Sequence, residues 1–135
     1  MVLLLAIGLG GAIGALGRHT AGTLLPTEPE AFPWATLIVN VVGAVALGII
    51  ASVPSSALPH HEVLRPALGT GACGGLTTFS TLALEVFERL PDRPVLAAGY
   101  SAISVALAPV SAFLGVRAVS SHLENPRNQE GGDKT

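Results

Sequence analysis

The sequence predicts an all-α membrane protein with four transmembrane helices, the third of them broken at its middle. Two features of the composition favour this fold class. Half of the 135 residues are hydrophobic and only 12% are charged, whereas soluble domains average about a quarter. The third observation is that the apolar residues form four stretches of about 20 residues, the length needed to cross a bilayer. We therefore expect a multi-pass protein of the cell membrane.

The four predicted spans are joined by short connections that carry proline, which stops helices and suits turns. The first span contains Gly10 and Gly14, a spacing that lets helices approach closely. The second begins at Trp34, a residue typical of the membrane interface. Pro109 is expected to kink the fourth. The spans cover residues 2–25, 34–53, 63–87 and 95–119 of a transmembrane domain at 1–120, and the polar tail 121–135 is predicted to be disordered.

The third span is the most informative, because a glycine pair lies at its centre and hydroxyl side chains surround it. Paired glycines disfavour a helix, and backbone left unpaired in a membrane must face protein or a water-filled cavity. The carbonyls of such a break can coordinate a hard cation such as Na⁺. A simpler reading is that the hydroxyls bond their own backbone. Helical spacing puts one set on a single face: Thr70, Gly74, Thr77 and Thr81.

Three further residues of the spans, Asn40, Phe79 and Arg18, each have two interpretations. Asn40 either forms an interhelical hydrogen bond or offers its two N–H donors to a small anion. Phe79 either packs or turns the positive edge of its ring to an anion. Arg18 either extends to the interface or gives a vestibule a field that concentrates anions. Tyr100 and Ser104 are four residues apart and share a face of the fourth helix.

Several function classes are disfavoured by what the sequence lacks. No nucleophile with a paired base is visible, so we expect no enzyme, and no basic run suggests nucleic acid. The single cysteine, Cys73, forms no intrachain disulfide. His60 and His61 are adjacent and make an unconvincing metal site. Glu85 lies at one end of the third span, and no Asp, Glu or Lys lies deep in any span, although proton-coupled carriers generally need such a group.

The balance of positive charge suggests an unusual topology. With four spans, one side of the membrane carries Arg65 and Arg117 nearby and four basic residues in total, and the other carries three. Because this bias normally sets orientation, we hypothesise that the chain inserts both ways and pairs antiparallel. A single orientation set by other effects is the alternative.

Three motifs together resemble the CrcB/Fluc fluoride channel family over about residues 4–119. They are Gly10–Arg18 (GGAIGALGR), Thr36–Gly43 (TLIVNVVG) and Gly74–Thr81 (GGLTTFST). The resemblance implies a fluoride-selective channel that passively exports fluoride from the cytoplasm and lowers its toxicity. It also implies an antiparallel homodimer with two anion pores at the subunit interface.

The resemblance further implies roles for individual residues. Asn40 would donate to fluoride, and Phe79 would present its ring edge. The backbone carbonyls of Gly74 and Thr77 from both subunits would bind a structural Na⁺ that is not transported. Arg18 would match the family's basic residue at the end of the first span. A polar track would be lined by Ser80, Thr81, Tyr100 and Ser104. Leu82 departs from the family, which often has a second Phe there.

Two other function classes remain open at the level of sequence. A small dual-topology multidrug exporter has the same size and number of spans, but it needs a membrane-embedded acid for proton exchange, and the first span has none. A non-transporting accessory subunit would use its polar residues only to hold helices together.

Overall fold

The computed structural model of the chain describes residues 1–28 and 31–130, with side chains as far as Ser121. Within this part every regular element is helical and none is a strand, so the all-α prediction is confirmed. The elements are α1 Val2–Leu24, α2 Trp34–Ser52, a 3-10 turn Ser55–Ala57, α3 His61–Pro66, a π-helical segment Ala67–Cys73, α4 Gly74–Leu76, α5 Phe79–Arg89 and α6 Pro94–Glu130.

Three helices are long and apolar enough to cross a membrane: Val2–Leu24, Trp34–Ser52 and the stretch Pro94–Ser121 of α6. Their ends lie within one or two residues of the first, second and fourth predicted spans. The chain is a multi-pass membrane protein. Helix α6 continues to Glu130, beyond the predicted domain boundary at 120 and past Pro126. Residues 131–135 lie outside the described part, and their disorder stays a prediction.

The third predicted span is a succession of short helices, as a broken helix requires. The chain leaves helical geometry at Thr77 (φ −78°, ψ 154°) and Thr78 (φ −151°, ψ 123°) and returns to it at Phe79. The break therefore follows the glycine pair by two residues, and Gly74 itself is helical. Glycine alone does not decide the position of the break.

The half of this span before the break contains a π-helical segment, Ala67–Cys73, that follows directly on Pro66. Proline has no N–H to donate to the preceding turn, which favours a change of helical hydrogen bonding at this point. The sequence pattern gave no indication of π-helical geometry.

Glycines allow the backbone of α1 to contact the backbone of the third span directly. A Cβ on Gly10 or Gly14 would overlap the carbonyl oxygen of Ala67 or Ala72, and one on Gly75 would overlap a carbonyl of α1. The close-packing interpretation of the Gly-x-x-x-Gly spacing is therefore confirmed. Association in a membrane depends on such contacts, because lipid supplies no hydrophobic force between helices.

Helices α2 and α6 approach each other in the same way. A Cβ on Gly48 would overlap the carbonyl oxygen of Ala112, and one on Gly115 would overlap that of Val45. At the other end of this pair, α5 joins a small core made of Leu37, Leu82 and Tyr100. These two glycine contacts and the core fix α2, α5 and α6 around the helix break.

Candidate functional site

The break in the third span is closed by a side chain from α2. Asn40 accepts the backbone N–H of Thr78 at 2.7 Å and donates its Nδ2 to the carbonyl oxygen of Thr78 at 3.0 Å. The amide therefore substitutes for the helical partners that Thr78 lacks, and pairing to both a donor and an acceptor fixes which amide atom is which. Nδ2 carries two hydrogens, and the second has no partner among the described residues.

This pairing releases a carbonyl in α4. In a continuous α-helix the N–H of Thr78 would donate to the carbonyl oxygen of Gly74, but it donates to Asn40. The Gly74 carbonyl is thus one of the unpaired acceptors that a helix C-terminus exposes. The Thr77 carbonyl lies 3.4 Å from Nη1 of Arg18, which donates to it. Structure and sequence agree that both predicted cation-binding carbonyls lie at the end of a half-helix.

Two hydroxyls of the predicted polar track, those of Ser80 and Thr81, meet the hydroxyl of Thr78 at the N-terminus of α5. Thr78 Oγ1 accepts the backbone N–H of Thr81 at 3.1 Å and so caps the helix. The same hydroxyl donates to Oγ1 of Thr81 at 3.0 Å and lies 3.3 Å from Oγ of Ser80. Thr78 supplies the proton of the hydrogen bond between the two hydroxyls, so the hydroxyl proton of Thr81 is not used in it. That proton lies at the N-terminus of α5, which carries a partial positive charge.

A groove of about 720 Å³ runs along the break. Of the predicted site residues it contains Asn40, Gly74, Thr77, Phe79 and Ser104. Phe79 is 74% exposed, and Ser104 is 7% exposed, with an Oγ that has no hydrogen-bond partner in the described structure. Amide, hydroxyl and aromatic groups thus share one largely apolar groove, in which two donors lack protein partners.

A second, smaller cavity of about 220 Å³ lies on the other side of Thr78, and we call it the small cavity. Its lining brings Arg18 and Thr81 together with Glu85, so a cation and an acid face one space. Thr78 lines both the groove and the small cavity, so the two spaces adjoin at this residue.

Tyr100 lies apart from both cavities, although the sequence analysis grouped it with Ser104. It is fully buried, and its hydroxyl donates to Oε2 of Glu85 at 2.6 Å. Thr36 donates to the other carboxylate oxygen at 2.8 Å. Among the described residues Tyr100 is therefore linked to the small cavity through Glu85, and a direct role in an anion pathway stays a prediction.

Glu85 is the polar residue that the sequence analysis underrated. It was treated as an acid at the end of a span, but it is held inside the bundle by two hydroxyl donors from α2 and α6. The expectation that no acid lies deep in a span stays a prediction, but Glu85 is half-buried and paired to neighbouring helices, which the sequence analysis did not anticipate. The available signal was the spacing, because Glu85 follows Thr81 by four residues and extends the same polar helix face.

Metal ligation by side chains finds no support in the described residues, where no group of three or more His, Cys, Asp or Glu side chains converges.

Comparison with known proteins identifies relatives along almost the whole membrane domain. The family described as CrcB-like protein, Camphor Resistance (CrcB), matches residues 5–116. The chain is 45% identical over 117 residues to "Fluoride-specific ion channel FluC 2" of Nocardia farcinica, an alignment covering 86% of this chain and 84% of the relative. It is 38% identical over 120 residues to "Fluoride-specific ion channel FluC" of Geobacter sulfurreducens, covering 87% and 97%.

Proposed function

The chain belongs to the CrcB family, and on this premise we propose that it is a fluoride-specific ion channel that lets fluoride leave the cytoplasm passively. The observation that carries the proposal is the groove at the helix break, where Asn40 and Ser104 each have a donor without a protein partner. Relatives with this function in their names support the choice of ion.

Several hydrogen-bond donors must converge on the ion, because removing the hydration shell of fluoride costs much free energy. The second N–H of Asn40 and the hydroxyl of Ser104 would replace part of the hydration shell. The free hydroxyl proton of Thr81, next to the N-terminus of α5, would continue the series beyond Thr78. Ser80 would add a further hydroxyl to this track.

Selectivity against larger halides would come from the apolar part of the groove. Phe79 would turn its positive ring edge to the anion while admitting little water. Leu82 lines the same groove and would supply an apolar wall without a polarised edge. A narrow path of this kind favours a small anion over chloride.

A structural Na⁺ fits the donors at the end of α4. The released carbonyl of Gly74 would hold it together with the carbonyl of Thr77, through the lone pair that Arg18 does not use, and a hard cation prefers such oxygen ligands. Two carbonyls are few for a cation, so the same pair from a second copy would complete the site. Bound there, Na⁺ would compensate the carbonyl dipoles at the centre of an assembly without being transported.

A homodimer would also complete the groove. Phe79 is largely exposed in the single chain and lies beside the buried hydroxyl of Ser104, so an ion in the groove would be walled on one side only. A second copy in antiparallel orientation would close it, in keeping with the nearly balanced positive charge on the two faces.

Fluoride flux from liposomes tests this function. The protein is reconstituted into liposomes loaded with potassium fluoride or potassium chloride, with a potassium ionophore added so that K⁺ efflux balances the charge. Anion efflux is measured with ion-selective electrodes without ATP or a proton gradient. We expect fluoride efflux well above that of protein-free liposomes and chloride efflux equal to it. Fluoride efflux no faster than in protein-free liposomes would refute the channel. Efflux that needs an imposed proton gradient would favour an exporter that uses Glu85.

A further inference from the structure

Arg89, in the last turn of α5, is a buried cation that the proposed function does not use. Its side chain is 5% exposed. The guanidinium donates Nε to the carbonyl oxygen of Ala31 at 3.1 Å, Nη2 to that of Glu28 at 3.4 Å and Nη1 to that of Glu85 at 3.0 Å. Buried charge is expensive unless it is well compensated, and this one is compensated by carbonyl dipoles.

Two of the three carbonyls belong to the connection between α1 and α2. The guanidinium of Arg89 therefore joins the backbone of Glu28 and Ala31 to α5. Directly beyond, the ring of Phe32 packs edge-to-face on Tyr100 with centroids 5.2 Å apart. The connection is thus held against the bundle at both of these points.

The fastened connection forms part of the small cavity. Leu25 and Thr27, next to Glu28, line it on one side, and Glu85 and Thr81 of α5 line it on another. Arg89 bonds the backbone of Glu85 and the backbone of the connection simultaneously. The guanidinium therefore sets the separation between two walls of this cavity.

We propose that Arg89 is a positioning residue of the anion path, which fixes the wall formed by Leu25 and Thr27 across the small cavity from α5. The proposal rests on the proposed function, since Thr78 joins the small cavity to the groove. An anion that passes Thr78 travels between these walls. Arg89 itself need not touch the ion.

Single-channel fluoride currents in planar bilayers test this role, because a purely structural residue changes the number of active channels but not the conductance of each one. We expect Arg89→Met to lower fluoride conductance about tenfold, a loss of the order that small misplacements cause. The ratio of fluoride to chloride permeability should stay unchanged, since the groove is intact. Arg89→Lys retains the charge and three donors and should recover a substantial part of the conductance.

Arg117→Met is the matched control. Arg117 lies over the ring of Phe113 at 5.8 Å and far along the chain from the connection, so conductance should equal that of the unchanged protein. If Arg89→Met fails to fold, Thr27→Trp narrows the small cavity from the other wall without touching the guanidinium contacts, and it should lower conductance as well.

The outcomes separate the two proposals. Normal conductance in Arg89→Met, with fewer channels, would overturn the positioning role and leave the fluoride channel standing. Should Arg89→Met not fold, normal conductance in Thr27→Trp would overturn it equally. Absence of fluoride current in the unchanged protein would instead refute the proposed function.

Discussion

At the scale of single residues, the side-chain amide of Asn40 is central because it joins the fold to the proposed ion path. Its oxygen and one N–H are engaged with the backbone of Thr78, and its second N–H is available to the groove. The sequence analysis left two readings open, an interhelical hydrogen bond and an anion donor. One side chain can do both, because the interhelical hydrogen bond to Thr78 uses only one of the two Nδ2 hydrogens.

Asn40→Asp should nearly abolish fluoride efflux. The carboxylate would place an acceptor against the carbonyl of Thr78 and remove the donor offered to the anion. Loss of one hydrogen bond to a charged group is worth about 1.5–3 kcal/mol, or roughly tenfold to 100-fold in rate. Liposome efflux of the folded variant measures the effect. Ser52→Ala, on the same helix, is the control, because Ser52 bonds only the carbonyl of Gly48. Unchanged efflux in Asn40→Asp would remove Asn40 from the path.

Glu85 and Arg89 show the limit of sequence reasoning. Glu85 lies at the end of the third predicted span and Arg89 just beyond it, which is the ordinary location for charged residues. Their partners lie far away along the chain: Thr36 for Glu85, and Ala31 for Arg89. The spacing places Glu85 on a polar helix face, but no local pattern specifies these partners, so the pairs follow from the tertiary structure alone.

At the scale of elements, the long helices were predictable and the position of the break was not. Length and hydrophobicity identify α1, α2 and the Pro94–Ser121 stretch of α6 to within two residues at each end, because a bilayer imposes both. The break depends on a contact between Asn40 and Thr78, which are 38 residues apart. The glycine pair indicated which segment is broken. The position of the break within that segment depends on the hydrogen bonds that Asn40 of α2 makes with Thr78.

The glycine contacts between α1 and the third span lead to a stability prediction. Gly14→Ala should destabilise the fold by about 1–3 kcal/mol, as overpacking does, because its Cβ would overlap the backbone of Ala72 and Leu76. Gly8→Ala is the matched control on the same helix, since no atom lies within 4 Å of its Cβ position. It should be neutral or stabilising by up to about 1 kcal/mol. Thermal unfolding in detergent compares the two, and equal midpoints would contradict the packing account.

At the scale of the whole molecule, the groove makes the isolated chain look like half of a site. Phe79 is exposed beside Ser104, whose hydroxyl is buried without a partner. Polar groups in a membrane need partners inside the protein or a water-filled cavity. An antiparallel second copy and an ion between the two would satisfy this requirement.

A tag at the C-terminus should appear on both faces of the membrane in comparable amounts. Each face would then receive nearly the same number of basic residues from the two orientations. Accessibility of the tag to a membrane-impermeant reagent, before and after permeabilisation of intact cells, measures the distribution. A tag found entirely on the cytoplasmic face would contradict dual insertion and would require a parallel or different assembly.

The unbonded hydroxyl of Ser104 has a practical consequence for anyone wishing to retune halide preference. Replacing Asn40 removes the hydrogen bonds that hold the helix break, so a substitution there changes ion binding and the fold together. The hydroxyl of Ser104 makes no hydrogen bond in the described chain. Because the residue is 7% exposed, exchange for a side chain of similar size can change the ion's surroundings while the scaffold stays as it is.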